Sequence, residues 1–222
     1  FGERFYRKIE TKIEYVPHPN YIGAYPAPGK EILAEREGDN PVIRFLFLGA
    51  VKPYKNVELI LEAAKNLARE KKAAEFIIAG SGNKQYISAL KKQYEELNNV
   101  VFLDKFIENE EINDLMSKSD VLILPYDKKS SMNSGTCFLA FTYKKNVVCP
   151  DIATIIDVGM DKCYAYSYVK EEDHFEKMLG AVHNVYDDYI KNKERFNRKG
   201  EALYDLVERE NAPNKIGEMY RT

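Results

Sequence analysis

Two hydrophobic patterns alternate along the chain from residue 42 onward. Short continuous apolar runs, rich in β-branched and aromatic residues, predict strands that are buried on both faces. The strong runs lie at residues 42–49, 75–80, 99–103, 121–125 and 146–149, and a weaker alternating run predicts an edge strand at 163–169. Apolar residues that recur every three or four positions predict amphipathic helices at 56–72, 85–97, 108–118, 134–144, 171–192 and 194–210.

Strands that alternate with helices at this spacing indicate right-handed βαβ units. Such units build a parallel sheet with helices on both faces. The sequence therefore predicts an α/β fold, a Rossmann-like doubly wound parallel sheet of about six strands. Asn56 precedes the first helix and is its predicted N-cap.

The first 40 residues follow neither pattern. They hold four prolines, with a fifth, Pro41, at their edge, and the only strand candidate among them is residues 13–16. Proline disfavours helix in the residue before it, so this stretch predicts extended, turn-rich chain. We expect residues 1–40 to be a lead-in segment wrapped on a single domain that spans residues 41–222.

Composition excludes several classes of function. Apolar residues make up 45% of the chain, enough for an ordinary core, and the net charge of −2 gives no reason to expect a nucleic-acid partner. The three cysteines lie in apolar runs without histidine or cysteine at ligand spacing, which predicts buried thiols and no metal site. No apolar run approaches the ~20 residues of a membrane span, and no signal-peptide pattern is present, so we expect a cytoplasmic protein.

Ligands of doubly wound sheets bind beyond the carboxyl ends of the strands. Four segments are expected at that edge: residues 49–55, 80–83, 105–108 and 126–136. The first follows Gly49 and contains Lys52 and Lys55, which could neutralise a diphosphate; the alternative is two solvated surface lysines. In the second, Gly80 permits a close backbone approach to a ligand, or simply forms a strand-to-helix turn.

The other two segments offer a place for a ring and a place for an anion. Phe106 and Ile107 could line a slot for a flat ring, although Phe106 could equally belong to the core. Ser134, Gly135 and Thr136 open a helix without a carboxylate, which favours an anion at its free N–H groups, although serine also caps helices in any protein. Together the four segments predict a pocket for a ring attached to a diphosphate.

These motifs, in this order, resemble a known family. LGAVKPYKN, FIIAGSG, the run DVLILPY and then SGTCFLAFTYKKNVVCP are similar to the C-terminal, donor-binding half of a GT-B glycosyltransferase of the retaining group 1 (family 4) type. The likeness is clearest over residues 42–151. It implies that the chain is a single half of a GT-B architecture and that the other half, which binds the acceptor, is missing here.

The resemblance also implies roles for individual residues. Gly49, Lys52, Lys55, Ser134, Gly135 and Thr136 would bind the diphosphate of a UDP- or GDP-sugar donor. Gly80, Phe106, Ile107 and Leu139 would meet its nucleobase or ribose. No metal or other cofactor is expected, because the lysines and the helix dipole would supply the positive charge. The catalytic residues stay unassigned, and His18 is expected to be structural.

One departure from the family opens an alternative. The family's Glu-x7-Glu pattern would fall on Ser131 and Leu139 or, with a shift by one residue, on Met132 and Ala140, and neither pair contains a carboxylate. Asp127 is the only acidic residue of that loop and could substitute in part. The expected function is therefore the donor-binding domain of a transferase for surface polysaccharides or glycoconjugates, inactive without its other half. The alternative is a non-catalytic domain that acts as a binding or assembly partner of an active transferase.

The expected partners follow from the same resemblance. They are a nucleotide sugar and the missing N-terminal acceptor-binding domain. The chain begins at Phe1 rather than Met, so we expect it to be part of a longer protein. Peripheral association of the full enzyme with the inner face of the membrane is left open.

Overall fold

The computed structural model describes residues 16–26, 32–33, 35, 41–131 and 133–219. The predicted strand at 13–16 lies outside them apart from Val16. Strands are β1 Ile43–Leu48, β2 Ala74–Ala79, β3 Val100–Leu103, β4 Val121–Ile123, β5 Asn146–Pro150 and β6 Tyr164–Tyr166. Helices are α1 Val57–Arg69, α2 Lys84–Gln93, α3 Asn109–Lys118, α4 Gly135–Thr142, α5 Ala153–Val158, α6 Glu171–Lys191, α7 Lys193–Glu210 and α8 Pro213–Met219, with 3-10 turns at Pro53–Lys55 and Met160–Lys162.

The strands form one sheet in the order β3-β2-β1-β4-β5-β6, and every neighbouring pair is parallel. This confirms the predicted Rossmann-like α/β fold, and β6 is an edge strand as predicted. The chain order reverses direction between β1 and β4, which places the loops after these two strands side by side. That pair of loops is where a ligand crevice is expected.

Helices cover both faces of the sheet. On one face α1 contacts α6, and on the other α4 contacts α7. The central strand β1 is buried along its whole length, which explains why its sequence is a continuous apolar run rather than an alternating one. A close backbone approach involves Gly200 of α7, where a Cβ atom would lie 2.1 Å from the backbone oxygen of Lys144.

Two local features of the structure were not predicted from the sequence. Asn56 occupies the N-cap position of α1 as predicted, but its side chain makes no capping hydrogen bond. Its φ is 51°, and its Nδ2 donates to the carbonyl of Pro125 at 2.9 Å instead. The short α5 was not predicted at all, because six residues are too few to show a helical period.

One described part of the lead-in, residues 16–26, packs against α4 and α7. The backbone N–H of Asn20 donates to Asn211 O at 2.7 Å, and its side chain donates to Val207 O at 2.9 Å. Asn211 in turn donates to His18 O at 2.8 Å. The N–H of Tyr21 donates to Thr142 Oγ1 at 3.0 Å. These bonds tie the lead-in to the helix that begins at Gly135.

Candidate functional site

The loops after β1 and β2 run in backbone contact at the carboxyl edge of the sheet. Gly49 N–H donates to Ala79 O at 3.0 Å, and a further bridge joins Val51 to Gly82. Gly49 and Gly80 both have φ of +143°, and a Cβ on Gly80 would lie 1.9 Å from Gly49 O. Gly80 is therefore required by its contact with Gly49. Its role beside a nucleobase stays a prediction.

Lys55 is the half-buried cation of this edge. Its Nζ lies 3.5 Å from the centroid of the Tyr126 ring and 5.2 Å from that of Tyr54. Burial lowers the pKa of Lys55, and the nearby charge of Lys52 lowers it further. Lys52 itself is exposed. Within the described ranges, no carboxylate forms an ion pair with either lysine.

Tyr126 connects Lys55 to the start of α4. The ring is only 2% exposed, and its hydroxyl accepts a hydrogen bond from Ser134 Oγ at 3.5 Å. Burial raises the pKa of Tyr126 well above its usual range, although hydrogen bonds with Ser134 and Thr136 act in the opposite direction. The hydroxyl is therefore protonated at neutral pH. The structure thus places Lys55 and the predicted residues Ser134 and Thr136 around one aromatic ring.

The N-terminus of α4 is built as predicted from its sequence. Ser134 caps the helix by accepting a hydrogen bond from Cys137 N at 3.2 Å, and its own N–H donates to Thr154 Oγ1 at 3.0 Å. The first turn has no acidic residue. Free N–H groups and the helix dipole make this end of α4 favourable for an anion.

Gly135 lies against the lead-in segment. A Cβ at this position would come within 2.8 Å of the Tyr21 hydroxyl and 3.2 Å of His18 Nε2. The His18 ring stacks on Phe138 with a centroid separation of 5.0 Å, and its Nδ1 lies 2.6 Å from Pro19 O. Glycine at this position therefore lets two lead-in side chains reach the first turn of α4.

The residues predicted to meet the base and ribose are spread out. Phe106 follows β3, two strands away from β1, and its side chain is 69% exposed. Ile107 and Leu139 belong to the core, 9% and 5% exposed. Leu139 lies one turn into α4, whereas Phe106 and Ile107 lie in the loop after β3. Their roles stay predictions.

The loop between β4 and α4 carries further charges, most of them paired. Burial alone would raise the pKa of Asp127, but hydrogen bonds from Ser130 Oγ at 2.6 Å and Lys129 N at 3.0 Å lower it on balance. Lys128 forms an ion pair with Asp151 at 2.6 Å. Asp127 is thus an ionised carboxylate at the edge of the site, whereas Lys128 is already neutralised.

Sequence reasoning placed Tyr126 in the segment 126–136 at this edge but assigned no role to it. The available signal was its position directly after the β4 run, at the carboxyl edge. A single tyrosine at a strand end has many uses, and its partner Lys55 is distant in sequence. The thiols of Cys137, Cys149 and Cys163 are free and buried, as predicted.

Two kinds of feature are absent from the described residues. No three histidine, cysteine or acidic side chains there come together as a group that could hold a metal ion. Among the helices of that part of the chain, none has the length and apolar character needed to cross a bilayer.

The chain is similar to known proteins in sequence pattern and in fold. A family model described as glycosyl transferases group 1 matches residues 42–188. No curated protein sequence matches the chain.

Three solved structures illustrate the likeness in fold. Sucrose-phosphate synthase from Thermosynechococcus elongatus is 12% identical with a TM-score of 0.72, and the match covers 99% of this chain and 55% of that one. Anabaena Alr3699/HepE in complex with UDP-glucose is 14% identical with a TM-score of 0.65, covering 80% and 47%. The C-terminal domain of LpcC, a glycosyl transferase group 1 family protein from Francisella tularensis, is 14% identical with a TM-score of 0.61, covering 89% and 97%. The chain thus spans about half the length of the first two proteins and nearly all of the third.

Proposed function

The chain belongs to the glycosyl transferases group 1 family, and from that premise we propose that it is the nucleotide-sugar-binding domain of a glycosyltransferase. The diphosphate of the donor binds between the loop after β1 and the first turn of α4. Lys52 and Lys55 supply positive charge from one side, and the N–H groups of Gly135 and Thr136 bind from the other. The acceptor binds to a second half of the enzyme, and activity requires both halves.

One observation carries this proposal. The ammonium of Lys55 is half-buried next to the start of α4 and has no acidic partner among the described residues. A cation that is partly removed from water is usually paired with an anion. A bound diphosphate would supply that anion, and its negative charge is also favourable at the N-terminus of α4.

Two further points support a nucleotide sugar as the ligand. Alr3699/HepE, which shares this fold, was solved with UDP-glucose and also with UDP and glucose. Phe106 presents an exposed ring at the same edge of the sheet, suited to stacking on a nucleobase. The donor's leaving group is then stabilised by the lysines and the helix dipole. We propose that the complete enzyme serves surface polysaccharide or glycoconjugate synthesis, as the family resemblance suggests.

A second candidate is a non-catalytic domain that assists an active transferase. It is favoured by the positions where the family resemblance implies carboxylates, since Ser131 and Leu139 are both buried and neutral. This candidate predicts no specific response to nucleotides.

Calorimetry with UDP, GDP, UDP-glucose and GDP-mannose distinguishes the two candidates. The donor-binding proposal expects one of these ligands to bind the wild type and to lose affinity about 10- to 100-fold in Lys55→Ala, since one charge-assisted hydrogen bond contributes about 1.5–3 kcal/mol. Lys92→Ala is the matched control, because Lys92 is an exposed lysine on α2, away from the site. Absence of binding by every nucleotide, or equal affinities in the two variants, would contradict the proposal.

The pH dependence of affinity provides a second test. The ammonium persists only below the pKa of Lys55, which burial lowers, so affinity should fall as pH rises through that lowered value. Lys55→Arg should bind with little pH dependence over the same range, because the guanidinium stays protonated.

A further inference from the structure

We propose that Tyr126 is the positioning residue of the diphosphate site, holding the ammonium of Lys55 beside the first turn of α4 before any ligand binds. The expected effect of Tyr126 on ligand binding rests on the proposed function. The contact itself can be tested without a ligand.

The first argument is the geometry of the contact. Lys55 Nζ is 3.5 Å from the Tyr126 ring centroid, well inside the ~6 Å over which a ring face attracts a cation. The other groups that face the ammonium are Tyr54, Lys52 and the buried thiols of Cys137 and Cys149. None of them is a carboxylate. The aromatic face of Tyr126 therefore provides the closest attraction for this charge among the described residues.

The second argument is that the backbone on both sides of the contact is fixed. Next to Lys55, Asn56 Nδ2 donates to the carbonyl of Pro125 at 2.9 Å. On the other side, Asp127 N–H donates to Tyr54 O at 3.1 Å. The two residues that flank Lys55 are thus hydrogen-bonded to the two residues that flank Tyr126. Because these bonds hold the two backbone segments side by side, the position of the Lys55 side chain next to the ring is set by the fold.

The third argument is that the ring itself is held in place. It is almost fully buried, and Ser134 Oγ donates to its hydroxyl at 3.5 Å. Ser134 is also the N-cap of α4. The tyrosine therefore links the lysine to the helix end on which the anion would bind. A cation already held at that place loses less conformational freedom when the ligand arrives, which favours binding.

The test compares three replacements of Tyr126. Tyr126→Phe keeps the ring and removes the hydroxyl, whereas Tyr126→Leu and Tyr126→Met remove the ring and keep an apolar side chain. The pKa of Lys55 is measured by NMR on lysine-labelled protein without ligand. It should fall in the Leu and Met variants, because the charged form loses the ring while its burial persists, and it should stay close to the wild-type value in Tyr126→Phe. A Lys55 pKa that is the same in all four proteins would overturn the proposal.

The ligand arm uses UDP as the probe. Tyr126→Leu and Tyr126→Met should weaken UDP binding roughly tenfold, and Tyr126→Phe by less than about threefold. Equal losses in the Phe and Leu variants would overturn the assignment to the ring. Thermal unfolding shows which variants are folded, and the Met variant keeps the test available if the Leu variant is not. If the wild type binds no nucleotide, the proposed function fails while the NMR arm still decides the role of Tyr126.

Discussion

The contact between α7 and the residues that follow α4 allows a direct test of how α4 is held in place. Gly200 lies within α7, and a Cβ there would be 2.1 Å from Lys144 O and 2.9 Å from Lys144 C. Both atoms are backbone, so no side-chain rotation can relieve the overlap. Gly180 lies within α6 and has no atom within 4 Å of its would-be Cβ. Gly200→Ala and Gly180→Ala therefore form a matched pair.

The expected difference follows from two opposing effects. Alanine is favoured over glycine inside a helix by about 1 kcal/mol, and both variants gain this. At Gly200 the helices must also separate by roughly 1 Å before ordinary contact is restored, and overpacking of this kind costs about 1–3 kcal/mol or more. We expect the free energy of unfolding to rise by about 0.5–1 kcal/mol in Gly180→Ala and to fall by up to about 2 kcal/mol in Gly200→Ala.

Urea unfolding followed by circular dichroism measures both values. Thermal unfolding gives a second reading, since 1 kcal/mol shifts the Tm of a domain of this size by about 2–4 °C. The two variants should differ in Tm by several degrees, with Gly200→Ala the lower. If Gly200→Ala is as stable as Gly180→Ala, the close approach of α7 to Lys144 does not exist in solution and the reasoning is refuted.

Three other predictions concern polar groups that hold the fold together. Asn56→Ala should lower the free energy of unfolding by about 2 kcal/mol, because it loses a hydrogen bond and forces alanine into a φ of 51°. Asn56→Gly avoids the backbone strain and should lose about half as much stability. Equal losses in the two variants would contradict the argument. Burial would raise the pKa of Asp114, but hydrogen bonds from Lys118 and two backbone amides lower it on balance. The contribution of Asp114 to the free energy of unfolding is therefore complete above about pH 4 and is lost as pH falls below that value. Denaturant unfolding between pH 2 and 6 should show a flatter pH dependence in Asp114→Asn. Burial lowers the pKa of His174, so the unfolded chain binds the proton more tightly and stability should fall as pH drops below about 6.5. His174→Gln should reduce the slope of the free energy of unfolding against pH between pH 7 and 5. An unchanged slope would show that His174 does not titrate as argued.

Much of the architecture could be predicted because the strands of this sheet are buried on both faces. The run that became β1 is apolar at nearly every position, and such a run has few other uses. The ends of elements were less accurate: the strand predicted over 121–125 ends at Ile123, and the helix predicted over 85–97 ends at Gln93. Ends are set by tertiary contacts such as those of Pro125, which the local pattern does not contain.

The candidate site was predictable only where it is local in sequence. Ser134 could be identified as a cap because capping involves residues three positions apart. The contact between Lys55 and Tyr126 depends instead on β1 and β4 being neighbours in the sheet. The approach of Tyr21 to Gly135 likewise depends on how the lead-in crosses α4. Contacts of this kind follow from topology, and hydrophobic periodicity carries no information about them.

The hydrogen bond from Asn20 N–H to Asn211 O brings two residues that are far apart in sequence side by side. A short flexible linker could therefore join these points directly, and new termini could be opened at the exposed turn near Lys71. Such a circular permutant would keep every strand pairing while changing the order in which the elements emerge from the ribosome.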